Sequence, residues 1–191
     1  EHQAEPVEVF SAETAYMMTD MLRDVLTESY GTGTRAKSML KFSSDFAAKS
    51  GTTQEHKDVW FVGYNPNISL GVWLGYDQPR TLFAFNNTYG EPGQRVNTLW
   101  ATLMNKMYDV KPDLIGTKEA FKQPEGIVTE NFCGMSGLAP STSCANAGFA
   151  RSDLFNKNIF LPTLPDDSFV SSTSVVIDGR SYAALSSTPA E

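Results

Sequence analysis

Three β-rich runs in close succession, Phe46–Thr53, Val59–Tyr64 and Leu70–Tyr76, constrain this chain more than any other feature. Their connectors, Gln54-Glu55-His56-Lys57-Asp58 and Asn65-Pro66-Asn67-Ile68-Ser69, hold five residues each. A parallel crossover needs about a dozen residues or more, so these runs should pair as an antiparallel meander. Val59-Trp60-Phe61-Val62 and Val72-Trp73-Leu74 lack a polar alternation, so neither strand suits a sheet with one face in water. Helices are expected over both faces.

The helical periods lie on either side of the meander. Phe10-Ser11-Ala12-Glu13 reads as a helix start, with Ser11 as N-cap and Glu13 in the first turn. Ala15, Met18, Leu22 and Val25 continue it as one apolar stripe, and Gly31-Thr32-Gly33 ends it. The cluster Met17, Met18 and Met21 reads as core filling. After Pro92-Gly93, the residues Val96, Leu99, Trp100, Leu103, Met104 and Met107 give the cleanest amphipathic spacing in the chain. The fold class is therefore α/β of the α+β type, an antiparallel sheet flanked by helices. Residues 1–110 should form its body, with residues 1–9 as a polar lead-in. From Lys111 periodicity fades into Pro, Ser, Thr, Gly and Asn, so 111–170 should be an extended surface tail. Ser174–Ile177 and Ser181–Leu185 around Asp178-Gly179 should form a hairpin that opens a small β module over 171–191.

Composition excludes several classes. At 191 residues the chain is one ordinary domain in length. Charged residues at 19% and aromatics at 12% are not those of a disordered chain. Fifteen Lys+Arg against 22 Asp+Glu leave a net charge of −7 with no basic run, so no nucleic acid is expected as a partner. No apolar run nears the roughly 18 residues of a membrane helix. The opening at Glu1 without Met reads as a processed, cleaved or deliberately cut piece. Cys133 and Cys144 lie eleven positions apart. They are either two unrelated thiols or a disulfide worth about 3 kcal/mol in an oxidising compartment. With His2 and His56 as the only imidazoles, a zinc site is not expected, and no cofactor is indicated.

The chemistry concentrates in Ala48-Lys49-Ser50-Gly51-Thr52-Thr53. On a strand, Ser50 and Thr52 share one face, Lys49 and Gly51 the other. Two hydroxyls on a strand edge can grip a substrate carboxylate, while an ammonium supplies positive field. A glycine clears space where another segment approaches. His56, between Glu55 and Asp58, reads as a solvated turn residue, and Trp60, Trp73 and Trp100 as core.

The Lys-Ser-Gly stretch resembles the third active-site motif of the penicillin-binding transpeptidases. Asp58-Val59-Trp60-Phe61-Val62-Gly63-Tyr64-Asn65-Pro66 and Gly71-Val72-Trp73-Leu74-Gly75-Tyr76-Asp77 are similar to the strands that follow in that family. Gly31-Thr32-Gly33-Thr34-Arg35-Ala36 is similar to its Gly-Thr-Gly segment. The order resembles class A, bifunctional members, and the tail from Ser136-Gly137-Leu138-Ala139-Pro140 to Asp153-Leu154-Phe155-Asn156 resembles those of Gram-positive bacteria. Ala48 stands where the family more often has Gly.

The resemblance implies a serine-type D,D-transpeptidase that cross-links peptidoglycan stem peptides and is acylated by β-lactams. It also implies a location on the outer face of a bacterial membrane, with an anchor and glycosyltransferase domain upstream. By it, Lys49 and Thr52 are catalytic, the Thr52 amide being an oxyanion donor. Ser50, Gly51, Thr52 and Thr53 would bind substrate, and Lys49 would reach toward a Ser-x-Asn motif. One departure is decisive. Ser38-Met39-Leu40-Lys41 mimics the nucleophile motif but lies too close to Ser50 to leave room for the Ser-x-Asn motif between them. The nucleophile is therefore expected on an upstream portion of the same transpeptidase, which is the expected protein partner. The alternatives are a β-lactamase or penicillin sensor of the same fold, or a non-catalytic wall-binding module.

Overall fold

The computed structural model describes residues 7–82, 91–166, 168 and 174–183. The chain divides into two compact units, residues 1–122 and 123–191.

The first unit is built on the expected meander. Strands β1 (Ala47–Thr52), β2 (Val59–Tyr64) and β3 (Ser69–Leu74) pair antiparallel in the order β1-β2-β3. Helix α1 (Ala12–Thr27) starts at Ser11, whose hydroxyl accepts the Thr14 amide, and packs against β1. A short α2 (Thr34–Ser38) leads into β1, and the long α3 (Pro92–Val110) lies across the sheet. Trp100 of α3 is the centre of the core. Its ring meets Phe46 and Phe61 edge-on at 5.4 and 5.3 Å, and its Nε1 donates to the Leu70 carbonyl at 3.0 Å. Gly63 makes this possible, since a Cβ there would lie 2.5 Å from the Trp100 ring.

Several expectations about this unit change, among them the core roles of Met18, Met21, Trp60 and Trp73, all of which are exposed. The buried side of α3 runs through Val96, Asn97, Trp100, Ala101 and Met104, leaving Leu99 and Leu103 half-exposed. Helices meet both sheet faces, but they cover the second only in part. Val59, Phe61 and Val72 are buried on the α3 side, while Trp60, Val62 and Trp73 on the other keep 48, 38 and 41% exposure. Cover on that second face is partial: α1 packs on β1, where Ala47 is fully buried, and its Thr19 hydroxyl is hydrogen-bonded to that of Tyr64 at 3.1 Å.

The expected boundary at 110 also moves. Residues 112–115 form a short α4 with Ile115 fully buried in the core. Asn65 ties the β2–β3 turn to it, donating to the Ile115 carbonyl at 2.6 Å while its own Oδ1 caps the Asn67 and Ile68 amides. Further on, the Phe121 amide donates to Asp45, which also receives Arg23 in a two-pronged ion pair at 2.7 and 2.8 Å. The Asp45 bond holds the Arg23 guanidinium above its usual range, against the opposing effect of burial. Burial pushes the Asp45 carboxyl up, but Arg23 and the Phe121 amide outweigh it and hold it below the usual carboxylate range.

The second unit replaces the expected extended tail. Strands β4 (Ile127–Cys133) and β5 (Ala150–Asn156) pair antiparallel, with α5 (Thr142–Asn146) between them. Cys133 and Cys144 are disulfide-bonded, Cα atoms 6.1 Å apart, and both are fully buried. Bonded sulfurs carry no thiolate, so their proximity to Asp166 makes no metal site. Ser141 caps α5 by accepting the Cys144 amide and donates its own proton to Asp166 at 3.0 Å. Burial raises the Asp166 carboxyl, yet hydrogen bonds from Ser136, Ser168 and Ser141 hold it below its ordinary range. The final hairpin pairs β6 (Ser174–Ile177) with β7 (Arg180–Ala183) through Asp178 and Gly179, both at positive φ as a type I′ turn requires. Residues 184 and 185, expected in its second strand, lie outside the described residues. No described helix is long and apolar enough to cross a membrane.

Candidate functional site

The register places the motif at the outer edge of the sheet. Ser50 pairs with Phe61 and Thr52 with Val59, so both hydroxyls share the face that α3 covers. Lys49 and Gly51, opposite Val62 and Trp60, lie on the other face. The alternation expected from sequence is present.

Backbone direction follows from one bond. The Thr53 amide donates to the Asp58 carbonyl at 3.0 Å, which makes 53–58 a bonded pair in the ladder. Bonded and non-bonded pairs alternate in an antiparallel ladder. Residues 47, 49 and 51 therefore bond to β2, and the amides of Ser50 and Thr52 point out from the sheet edge. The Lys49 ammonium lies along this edge, donating to the Ser50 carbonyl at 2.7 Å.

Beside the strand is an open cleft lined by Thr32, Ser50, Thr52, His56, Glu91, Gly93 and Gln94. The N-terminal turn of α3, the positive end of its dipole, forms one wall. The Thr32 and Ser50 hydroxyls are hydrogen-bonded at 2.7 Å. Such a cleft offers hydroxyl donors on one wall and outward amides on the strand edge, a set suited to an anionic ligand.

Not every motif residue joins it. Thr53, expected to bind substrate, instead closes the turn: its hydroxyl accepts the Asp58 amide at 2.8 Å and donates to the Asp58 carbonyl at 3.3 Å. His56, read as a solvated turn residue, lines the cleft. It follows Glu55 in left-handed backbone, φ 53° after 59°, an uncommon conformation for two successive non-glycine residues. Ser38 and Lys41 do not form a nucleophile pair. The Ser38 hydroxyl donates to the Arg35 carbonyl at 2.8 Å, and Lys41 pairs with Asp109 at 2.6 Å. Sequence reasoning assigned no role to Thr32, Glu91, Gln94 or Asn97. For Asn97 a signal existed, because it is a polar residue three positions before Trp100 on the inward side of α3.

The family model described as penicillin binding protein transpeptidase domain matches residues 1–81. Penicillin-binding protein 1A of Pseudomonas aeruginosa is 36% identical over 141 residues, 74% of this chain and 16% of the relative. That of Neisseria flavescens is 36% identical over 118 residues, 60% of this chain and 13% of the relative. The chain thus spans less than a fifth of the length of either curated relative. The crystal structure of penicillin-binding protein 1A from Haemophilus influenzae shares the fold, with a TM-score of 0.54 at 23% identity, covering 78% of this chain and 21% of that one. These are proteins of Gram-negative bacteria, so the expected Gram-positive affinity of the tail is not supported. Residues 1–81 match the transpeptidase domain of the penicillin-binding proteins, and the similarity to relatives named penicillin-binding protein 1A extends past that segment.

Proposed function

We propose that this chain supplies the carboxylate-gripping strand of a serine-type D,D-transpeptidase acting on peptidoglycan stem peptides and acylated by β-lactams. The observation that carries the reading is the β1 edge: two hydroxyls on one face, an outward Thr52 amide, and an ammonium beside them.

In this reading the nucleophilic serine comes from another part of the same protein. Its hydroxyl attacks the carbonyl of the penultimate D-alanine, the terminal D-alanine leaves with the proton, and an amine of a neighbouring stem peptide resolves the ester. Ser50 and Thr52 hold the terminal carboxylate of the donor, which fixes the scissile carbonyl at the strand edge. The Thr52 amide donates to the oxyanion, a contact whose loss typically costs about 10²–10³ in rate. Lys49 supplies positive field and reaches toward the other active-site motifs. A Cβ on Gly51 would meet only the Trp60 Cβ at 3.4 Å, so this chain's own packing does not demand the glycine. Its bareness suits close approach by substrate or by the rest of the domain.

The protein would act outside the cell membrane, anchored through a segment other than these residues. The names of the relatives do not favour a β-lactamase, a sensor or a non-catalytic wall-binding module. Labelling the full-length protein with fluorescent penicillin, then mapping the adduct, tests the reading. It predicts an adduct on a serine other than Ser38; an adduct on Ser38, or none at all, would overturn it.

A further inference from the structure

We infer that Thr32 is a positioning residue of this site, its hydroxyl orienting the Ser50 proton toward the carboxylate that Ser50 and Thr52 receive. The inference rests on reading those two residues as a carboxylate grip.

Proton bookkeeping carries it. The Thr32 and Ser50 oxygens are 2.7 Å apart, so one hydroxyl donates to the other. Ser50 has a single proton. If Ser50 gives it to Thr32, nothing remains for a carboxylate. Ser50 can donate to the ligand only when Thr32 donates to Ser50, and that arrangement also polarises the Ser50 hydroxyl. The pair is thus a two-step relay ending at the anion.

The chain goes to some length to hold Thr32 there. Flanking it are two glycines that leave no room for side chains. A Cβ on Gly31 would lie 2.5 and 2.6 Å from the Val25 and Asp24 carbonyl oxygens, and one on Gly33 would lie 3.0 Å from both Leu26 and Phe61. The Gly31 and Gly33 amides donate to the Glu28 and Val25 carbonyls, each at 2.8 Å, pinning the loop to the end of α1. From the other side, Asn97 of α3 donates its Nδ2 to the Thr32 carbonyl at 2.7 Å. Asn97 is only 2% exposed, and its Oδ1 has no hydrogen-bond partner among the described residues. A buried amide with an unpaired acceptor is a poor choice for packing alone. The one bond it makes fixes the Thr32 backbone.

The test compares Thr32→Val, Thr32→Ser, Ser50→Ala and the Thr32→Val/Ser50→Ala double variant in the full-length protein. Each is acylated with a carboxylate-bearing β-lactam and with the methyl ester of the same compound, and each is melted. Thr32→Val should slow acylation by the free acid roughly three- to tenfold, the net worth of one hydrogen bond. Acylation by the ester should change little, and Thr32→Ser should restore the rate. The double variant should fall no further than Ser50→Ala, since both remove one relay. An unchanged rate in Thr32→Val, an equal loss with the ester, or full additivity with Ser50→Ala would overturn the inference. If Ser50→Ala itself left acylation by the free acid unchanged, the carboxylate grip would fail instead.

Discussion

The two units of this chain are stabilised by different physics. The first has a contiguous apolar core, twelve buried residues among those described, centred on Trp100, with Arg23–Asp45 and Asn65 closing its edges. The second buries a disulfide with Ala147 and Phe149 packed against it, and otherwise has two two-stranded ladders, ring contacts of Phe155 with Phe132 and Phe160, and serine hydroxyls around Asp166. A domain that can bury apolar surface is robust to redox conditions; a small one that cannot relies on a covalent staple.

That contrast can be broken at its strongest point first. Trp100→Ala should remove about 3–5 kcal/mol from the first unit, the cost of emptying a large aromatic site. Hydrogen exchange should accelerate through β1, β2 and β3 and stay unchanged through β4 and β5. Equal acceleration in both ladders would show that the units do not differ as described.

Reduction of Cys133–Cys144 is the converse and smaller perturbation. Opening a loop of this length should cost about 3 kcal/mol, so β4 and β5 should lose exchange protection in reductant while β1–β3 keep theirs. A second unit indifferent to reductant would mean that the ladder and Asp166 suffice to hold it.

The ion pair at Asp45 sharpens the comparison further. Its carboxyl is depressed in the folded state, so the stability it contributes is present above the unfolded carboxylate pKa and lost as pH falls through the folded value. Wild-type stability of the first unit should therefore decline as pH drops below about 4. Asp45→Asn should cost roughly 1.5 kcal/mol at neutral pH, the lower end for a charged hydrogen bond at a partly exposed site, and flatten that decline. Thermal melts from pH 7 down to 3 would detect both.

The same contrast explains what could be read in advance. The meander was legible because five-residue connectors and apolar runs leave few topologies, and β2 has the expected bounds. In the second unit the Asp178-Gly179 hairpin was legible from its turn, but β4 and β5 were not, because β4 carries Thr129, Glu130 and Asn131 at its centre and its most buried pair is two cysteines rather than a period. At the site, the face shared by Ser50 and Thr52 follows from strand alternation alone. Thr32 and Asn97 could not be found that way, since Thr32 reaches Ser50 across 18 residues of chain and Asn97 reaches Thr32 across 65, both through tertiary contacts. The hydrogen bonds of the Thr53 hydroxyl were not legible either, because the strand ends one residue earlier, at Thr52, and the turn takes that hydroxyl.

The central claim is that the hydroxyls of β1 receive a carboxylate, and Thr52→Val in the full-length protein tests it most directly. Valine keeps the shape and strand preference of threonine while removing the hydroxyl and leaving the backbone amide. Acylation by a chromogenic β-lactam, measured beside a melting curve, should fall roughly tenfold to hundredfold with the melting temperature unchanged, as loss of a charge-assisted hydrogen bond requires. Acylation at the wild-type rate in a folded Thr52→Val protein would contradict the account.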